Sequence, residues 1–335
     1  MKRLTAFIIS FMMLLSFVFS QGAKETSPIQ SSPFSDKVVD VNVVALKGPT
    51  AMGMVELMDK AENGAVDGNK YTFQLESAPD AVVPLIVKGD ADIAAIPANL
   101  AAVVYNNTSK IEILAINTLG VLYICQNGGE KISTIEDLRG KTIYSSGKGS
   151  TPQFALEAVL SRFGLEVGKD VFIEWKSEHA ECVASLIASG DDSSKVAMLP
   201  QPFATTAIMS NPSISIAIDL NEAWQDIAGS PLVTGVTVVN KEFAKANPEA
   251  VDAFLSSYKE SVDYTHMDVD GAAKLVAKYS ILPKEAVAKK ALPECNIVLL
   301  TGDDMKKALK EYFSVLYSFN PASVGGKLPG DEIYY

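Results

Sequence analysis

From residue 38 onward, short apolar runs of strand character alternate with longer stretches of helical periodicity, and this alternation limits the fold more than any other feature. Residues 38–46, 71–75, 93–96 and 111–116 read as strands; residues 51–61, 78–88 and 99–105 read as the helices between them. An order of strand, helix, strand demands a mainly parallel sheet with helices on both faces. After Asn117-Thr118-Leu119-Gly120 the pattern restarts, with strands at 122–126, 142–144, 171–175 and 196–199 and helices at 133–138, 151–163, 180–188 and 202–210. Residues 214–219 lead back, and 233–240 form a strand expected to rejoin the first sheet. The stretch 241–319 reads as largely helical, with breaks at Pro248, Pro283 and Pro293. No fixed-period repeat recurs, which excludes a solenoid.

A chain that restarts and then returns is expected to fold as two α/β lobes. Residues 38–118 and 234–335 make up lobe 1 and residues 119–233 lobe 2, with two crossing strands as the hinge. A length of 335 residues and an apolar content of 48% are ample for two cores. The formal charge of −11 argues against nucleic acid, which needs clustered cations, and leaves a small molecule or a protein as partner. A monomer is expected.

Lys2 and Arg3 precede an apolar run from Leu4 to Phe19, too short for a comfortable membrane span and suited to the core of a signal peptide. Residues 1–20 are therefore expected to be a signal peptide, cleaved after Ser20 or retained as an N-terminal anchor, and 21–37, rich in Ser, Pro and Gln, a disordered leader. The first cysteine is Cys125, so no N-terminal lipid attachment is expected. Cys125, Cys182 and Cys295 are far apart, and the two histidines are His179 and His266. Such spacing suggests neither a metal site nor a nucleophile, and no cofactor is expected. The His179 and Cys182 proximity reads as coincidence.

In open α/β sheets a ligand sits beyond the carboxyl ends of strands, where loops meet helix N-termini. Four loops qualify. In the first, Gly48 and Pro49 shape a turn, and Thr50 and Met52 follow, with Thr50 expected to cap the helix. In the second, Pro97 precedes Asn99, a candidate cap and ligand contact. The third, Ser145-Ser146-Gly147-Lys148-Gly149-Ser150-Thr151-Pro152, sets hydroxyls and glycines at a helix start, a combination suited to an anion. It is not a nucleotide-binding loop of the Walker type, because Gly149 rather than Ser or Thr follows Lys148. In the fourth, Gln201 lies between Pro200 and Pro202. Thr234 and Gly235 are expected to line the same cleft, and Trp175, Trp224, Glu178 and His179 are weaker candidates.

These segments resemble the solute-binding proteins of ABC importers, in the group that takes aliphatic sulfonates, taurine, nitrate and thiamine pyrimidines. The resemblance rests on Gly89-Asp90-Ala91-Asp92-Ile93, on Leu138-Arg139-Gly140-Lys141-Thr142, on Gly149-Ser150-Thr151, and on Asn247-Pro248-Glu249 before the helical stretch 251–264. It covers nearly the whole chain after the leader. It implies a type II periplasmic-binding-protein fold, an exported location, a membrane permease as partner and no catalysis. It also implies ligand contacts from Thr50, Met52, Asn99, Ser150, Thr151 and Gln201. No arginine lies on these loops, and Lys47 and Lys148 are their cations. Both an oxyanion and an uncharged heterocycle therefore stay open. The alternative is an enzyme of thiamine-pyrimidine metabolism on the same fold, although no carboxylate pair or Ser/His/Asp set falls on the loops.

Overall fold

The structure is a computed structural model that describes residues 38–335, so the expected signal peptide and leader lie outside the described residues. The chain opens with β1 (Val39–Leu46), α1 (Pro49–Met52), α2 (Val55–Ala61), β2 (Asn69–Glu76), α3 (Pro79–Lys88), β3 (Ile93–Pro97), α4 (Ala98–Thr108) and β4 (Ile111–Leu119). A second series follows: β5 (Leu122–Asn127), β6 (Thr142–Ser145), α5 (Thr151–Arg162), β7 (Phe172–Trp175), α6 (His179–Ala188), β8 (Lys195–Pro200), α7 (Phe203–Ser210) and β9 (Ile214–Asp219). The return runs through α8 (Leu220–Ala228) and β10 (Val233–Asn240). The remainder is α9 (Lys241–Ala246), α10 (Pro248–Met267), α11 (Val269–Lys278), α12 (Glu285–Ala291), β11 (Ile297–Leu300) and α13 (Gly302–Phe319).

These strands form a six-stranded sheet in the order β11-β4-β10-β3-β1-β2 and a five-stranded sheet in the order β7-β6-β8-β5-β9. In the first, β1 pairs in parallel with β2 and β3, while β10 runs antiparallel between β3 and β4. In the second, β6 pairs in parallel with β7 and β8, and β5 is antiparallel to both neighbours. The reversed strands are those next to the two crossings, as expected of a chain that leaves one sheet and returns to it.

Sequence periodicity explains the individual elements. In α10, Val251, Phe254, Tyr258, Val262 and Thr265 recur at intervals of three and four and are all buried, and Pro248 sits at the first turn, where its missing N–H costs nothing. One apolar cluster joins Ile86 and Ala101 beside the first sheet to Ile124, Leu156, Trp224 and Tyr312, so the two sheets share a core. A second lies under α10 and includes Met52 and Cys295. Each large side chain buried in these clusters contributes about 1.5–3 kcal/mol.

The structure departs from the sequence reading in five places, the first being that the helix expected at 133–138 is only a 3-10 turn over Glu136–Leu138. The expected helix 51–61 is two helices that part at Gly53 and Met54, and Gly53 packs so closely that a Cβ there would lie 3.0 Å from Ile297 and 3.2 Å from Val262. Helix α8 was not anticipated: Asp219 caps it by accepting from the Asn221 N–H at 2.7 Å, and Gly229 ends it with φ 67°. Strand β11 lies inside a stretch read as helical. Asn117, Thr118 and Leu119 belong to β4, which confines the first crossing to Gly120 and Val121.

Gly235 lies against Asn117 and Thr50, and a Cβ there would sit 2.5 Å from Asn117 Oδ1 and 2.6 Å from Thr50 Cγ2. Gly235→Ala is therefore expected to destabilise the chain by about 1–3 kcal/mol through overpacking. Gly140→Ala, where a Cβ meets open space but φ is 78°, tests backbone strain alone. Urea unfolding of both variants separates the two causes.

Candidate functional site

The carboxyl ends of β1 and β3 carry the first two loops. Gly48 adopts φ 122° and ψ −158°, a conformation reserved for glycine, and starts α1 with Pro49 at its first position. Thr50 does not cap α1, contrary to expectation. Its hydroxyl donates back to the Leu46 carbonyl at 2.8 Å, which leaves the oxygen lone pairs as acceptors. Pro97, at the end of β3, faces Gly235 across the ladder and occupies the cap position of α4. Asn99 is inside α4 and is not its cap. It is buried, donates from Nδ2 to the Ser323 carbonyl at 3.2 Å, and accepts at Oδ1 from Thr151 at 3.1 Å.

That last bond joins the start of α4, which follows β3 of the first sheet, to the start of α5, which follows β6 of the second. Thr151 Oγ1 also lies 3.0 Å from the Tyr312 hydroxyl. Because the single Thr151 proton goes to Asn99, the Tyr312 hydroxyl is the donor to Thr151. Burial pushes the Tyr312 pKa well up, which keeps that proton in place. On the other side of the strand ends, α7 touches α12, so elements of both sheets meet there as well.

The rest of the third loop differs from the expected anion cradle. Gly147 and Gly149 take φ 80° and 81°, and the turn they make bends its own donors inward. Ser150 Oγ donates to the Gly147 carbonyl at 2.7 Å, and the Gly149 N–H donates to Gln153 Oε1 at 2.7 Å. Gly149 and Lys148 are exposed, as is Lys47. Gln201 in the fourth loop is buried, and its Oε1 accepts from the Thr205 N–H at 3.2 Å and from its hydroxyl at 2.9 Å, so it caps α7.

Thr234 Oγ1 is buried at the start of β10 and has no hydrogen-bond partner, a condition it shares with Ser323 Oγ, Ser230 Oγ and a few other buried groups and one that costs about 1–3 kcal/mol each. Met52 is not brought to the loops. It is fully buried, with its sulfur 3.9 Å from Cys295 Sγ. Trp224 is likewise core, its ring 5.6 Å from that of Tyr312, while Trp175 ends β7 beside Ser145.

Sequence reasoning gave little weight to His179, and the structure places it centrally. Its Nδ1 lies 2.5 Å from Ser146 Oγ, and its ring centroid is 5.1 Å from that of Phe203. Although part of its surface remains open, the ring sits among apolar neighbours, and burial pulls its pKa down to about 4. Its signal in the sequence was the position just after strand 171–175, without a partner that spacing could identify. Tyr312 and Ser323 were missed because no motif surrounds them. Cys125, Cys182 and Cys295 are free and buried, and burial raises the Cys182 thiol to about 11. Among the described residues, no group of three or more His, Cys, Asp or Glu could hold a metal ion, and no helix is long and apolar enough to cross a membrane.

A family profile described as menaquinone biosynthesis matches residues 206–318, from α7 to α13. No curated protein matches the chain in sequence. Among solved structures, an ABC transporter protein from Parabacteroides distasonis is similar over 90% of this chain and 99% of its own, with 22% identity and a TM-score of 0.75. The alkanesulfonate-binding protein of Xanthomonas axonopodis pv. citri, bound to MOPS, matches 88% of this chain and 96% of its own, with 16% identity and a TM-score of 0.65. The periplasmic aliphatic sulphonate binding protein of Escherichia coli matches 87% and 92%, with 14% identity and a TM-score of 0.68. The chain has the periplasmic binding protein fold, as the sequence reading expected.

The His179 environment has a consequence for stability. With the folded pKa near 4 and the ordinary value 6.5, the unfolded chain binds the extra proton between those pH values. The stability held by the neutral ring is complete above about pH 6.5 and falls by up to about 3 kcal/mol as pH drops towards 4. Urea unfolding at pH 4.5 and 7 is expected to show a smaller pH loss in His179→Gln than in the parent chain.

Proposed function

We propose that the chain is the extracytoplasmic solute-binding component of an ABC importer, which captures a small organic or oxyanion ligand between two lobes and delivers it to a membrane permease. The lobes are residues 38–118 with 234–335, and residues 119–233. The observation that carries this reading is the hydrogen bond from Thr151 to Asn99, which joins the helix starts that follow strand ends of the two sheets. Strand ends facing each other across two crossings are where this architecture receives ligands. Similarity to sulfonate-binding structures supports the same class of solute.

In this reading Gly48, Thr50, Pro97, Asn99, Gly149, Ser150, Thr151, Gln201 and Thr234 contribute to the ligand's surroundings, and Met52 supports α1 from the core. Thr234 supplies a donor that a ligand acceptor would satisfy. The protein acts outside the cytoplasm as a monomer, exported by a cleaved signal peptide, and performs no catalysis. A second reading, an enzyme of thiamine-pyrimidine metabolism on this fold, is favoured by one feature, the neutral His179 against Ser146, which has the form of a base beside a hydroxyl. Mass spectrometry of the solute after incubation separates the readings: a binder returns it unchanged.

A thermal-shift screen of MOPS and other sulfonates, nitrate and pyrimidines is expected to give at least one solute that raises the melting temperature with its concentration. Thr234→Ala and Asn99→Ala are expected to weaken that solute about tenfold or more, because each removes a buried polar partner. A screen in which no solute shifts the transition would contradict the proposal.

A further inference from the structure

We infer that His179 is a positioning residue that locks the third and fourth loops into one rigid jaw. This inference rests on the reading that those loops surround the solute. The two loops leave the carboxyl ends of β6 and β8, neighbours in the second sheet. Among the described residues, however, no hydrogen bond runs directly from residues 146–150 to residues 201–205. His179 is the link. In the tautomer protonated at Nε2, its Nδ1 accepts the Ser146 hydroxyl at 2.5 Å, and its ring packs at 5.1 Å and a 42° tilt on Phe203, two residues beyond Gln201.

The mount of this link is itself held. His179 is the first residue of α6, a helix that contacts β6, β8 and α7, the elements from which both loops spring. One turn on, the fully buried Cys182 anchors α6 in the cluster formed by Leu199, Ala204 and Tyr123, against which Phe203 packs. Ser146 is 2% exposed, so its hydroxyl has no route to bulk water as a substitute partner. A side chain fixed on a packed helix, with one polar and one apolar arm on different loops, makes the position of each loop depend on the other. Such preorganisation lowers the ordering cost of binding, so a solute touching one loop meets the other already in place.

The two arms can be cut separately. His179→Asn keeps an amide atom near the place of Nδ1 without the ring, and His179→Phe keeps the ring without the polar atom. Hydrogen exchange by mass spectrometry on the full chain without solute is expected to show faster exchange, by tenfold or more, at residues 146–150 in His179→Phe. The rise should fall at residues 201–205 in His179→Asn and at both in His179→Ala. His179→Ala leaving both loops at the parent rate would overturn the inference, as would an equal rise over all of β5 to β9, which would mark a merely structural role. Titration with MOPS, compared between parent and His179→Ala, is expected to show at least a tenfold loss; equal affinity with both loops loosened would also overturn it. If the parent chain binds neither MOPS nor any screened solute, the binding reading fails, and the exchange pattern alone decides whether His179 joins the loops.

Discussion

Gly120 carries the chain from the first sheet to the second, and it can do so only without a side chain, because Asn221 occupies the space a Cβ would need. The same Asn221 accepts the Leu122 N–H at 3.2 Å. From the opposite side Asn296 donates to the Gly120 carbonyl at 2.5 Å, and its own carbonyl accepts the Leu119 N–H at 3.1 Å. Three segments distant in sequence are thus tied at one crossing, and the second crossing, through α8 into β10, runs beside it. This tie fixes where the second sheet starts relative to the first, and the shared apolar core and the Tyr312 bond to Thr151 then hold Thr151 against Asn99.

Around that meeting point the chain satisfies its own polar groups closely. Ser150, Gly149, Gln201 and Thr50 all bond to partners three or four residues away in the chain, and the third loop is a less open anion cradle than its composition suggests. The hydroxyl of Thr151 is engaged on both sides by Asn99 and Tyr312. Thr234 Oγ1 is an exception to this pairing, as are Ser323 Oγ, Ser230 Oγ and the Tyr258 hydroxyl among the described residues, and a buried polar group without a partner calls for an explanation.

Much of the architecture was legible in the sequence, because buried strands and amphipathic helices leave periodic traces. Residues 214–219 and 233–240 coincide with β9 and β10 to the residue. What escaped was decided by tertiary contact. Strand β11 has four residues and no alternation of its own, and it exists because β4 offers it an edge. Helix α8 hides behind an ordinary Asp219 cap. Asn99, Thr151, Thr234 and Gln201 were singled out as candidates from their places at strand ends. Tyr312, Ser323 and the Ser146 to His179 pair were not, since their partners lie 33 to 224 residues away. Met52 and Trp224 show the converse: a residue type suited to ligands that the fold uses for packing.

The proposal that the protein binds a small solute between its two sheets rests on the fold and on the facing strand ends, and its central claim is where that solute sits. A crystal structure of the chain with a solute that stabilises it answers this directly. The account predicts electron density between the loops of the two sheets, with an acceptor atom of the solute within hydrogen-bond distance of Thr234 Oγ1. Density for the solute at any other place, with Thr234 still unpartnered, would contradict it.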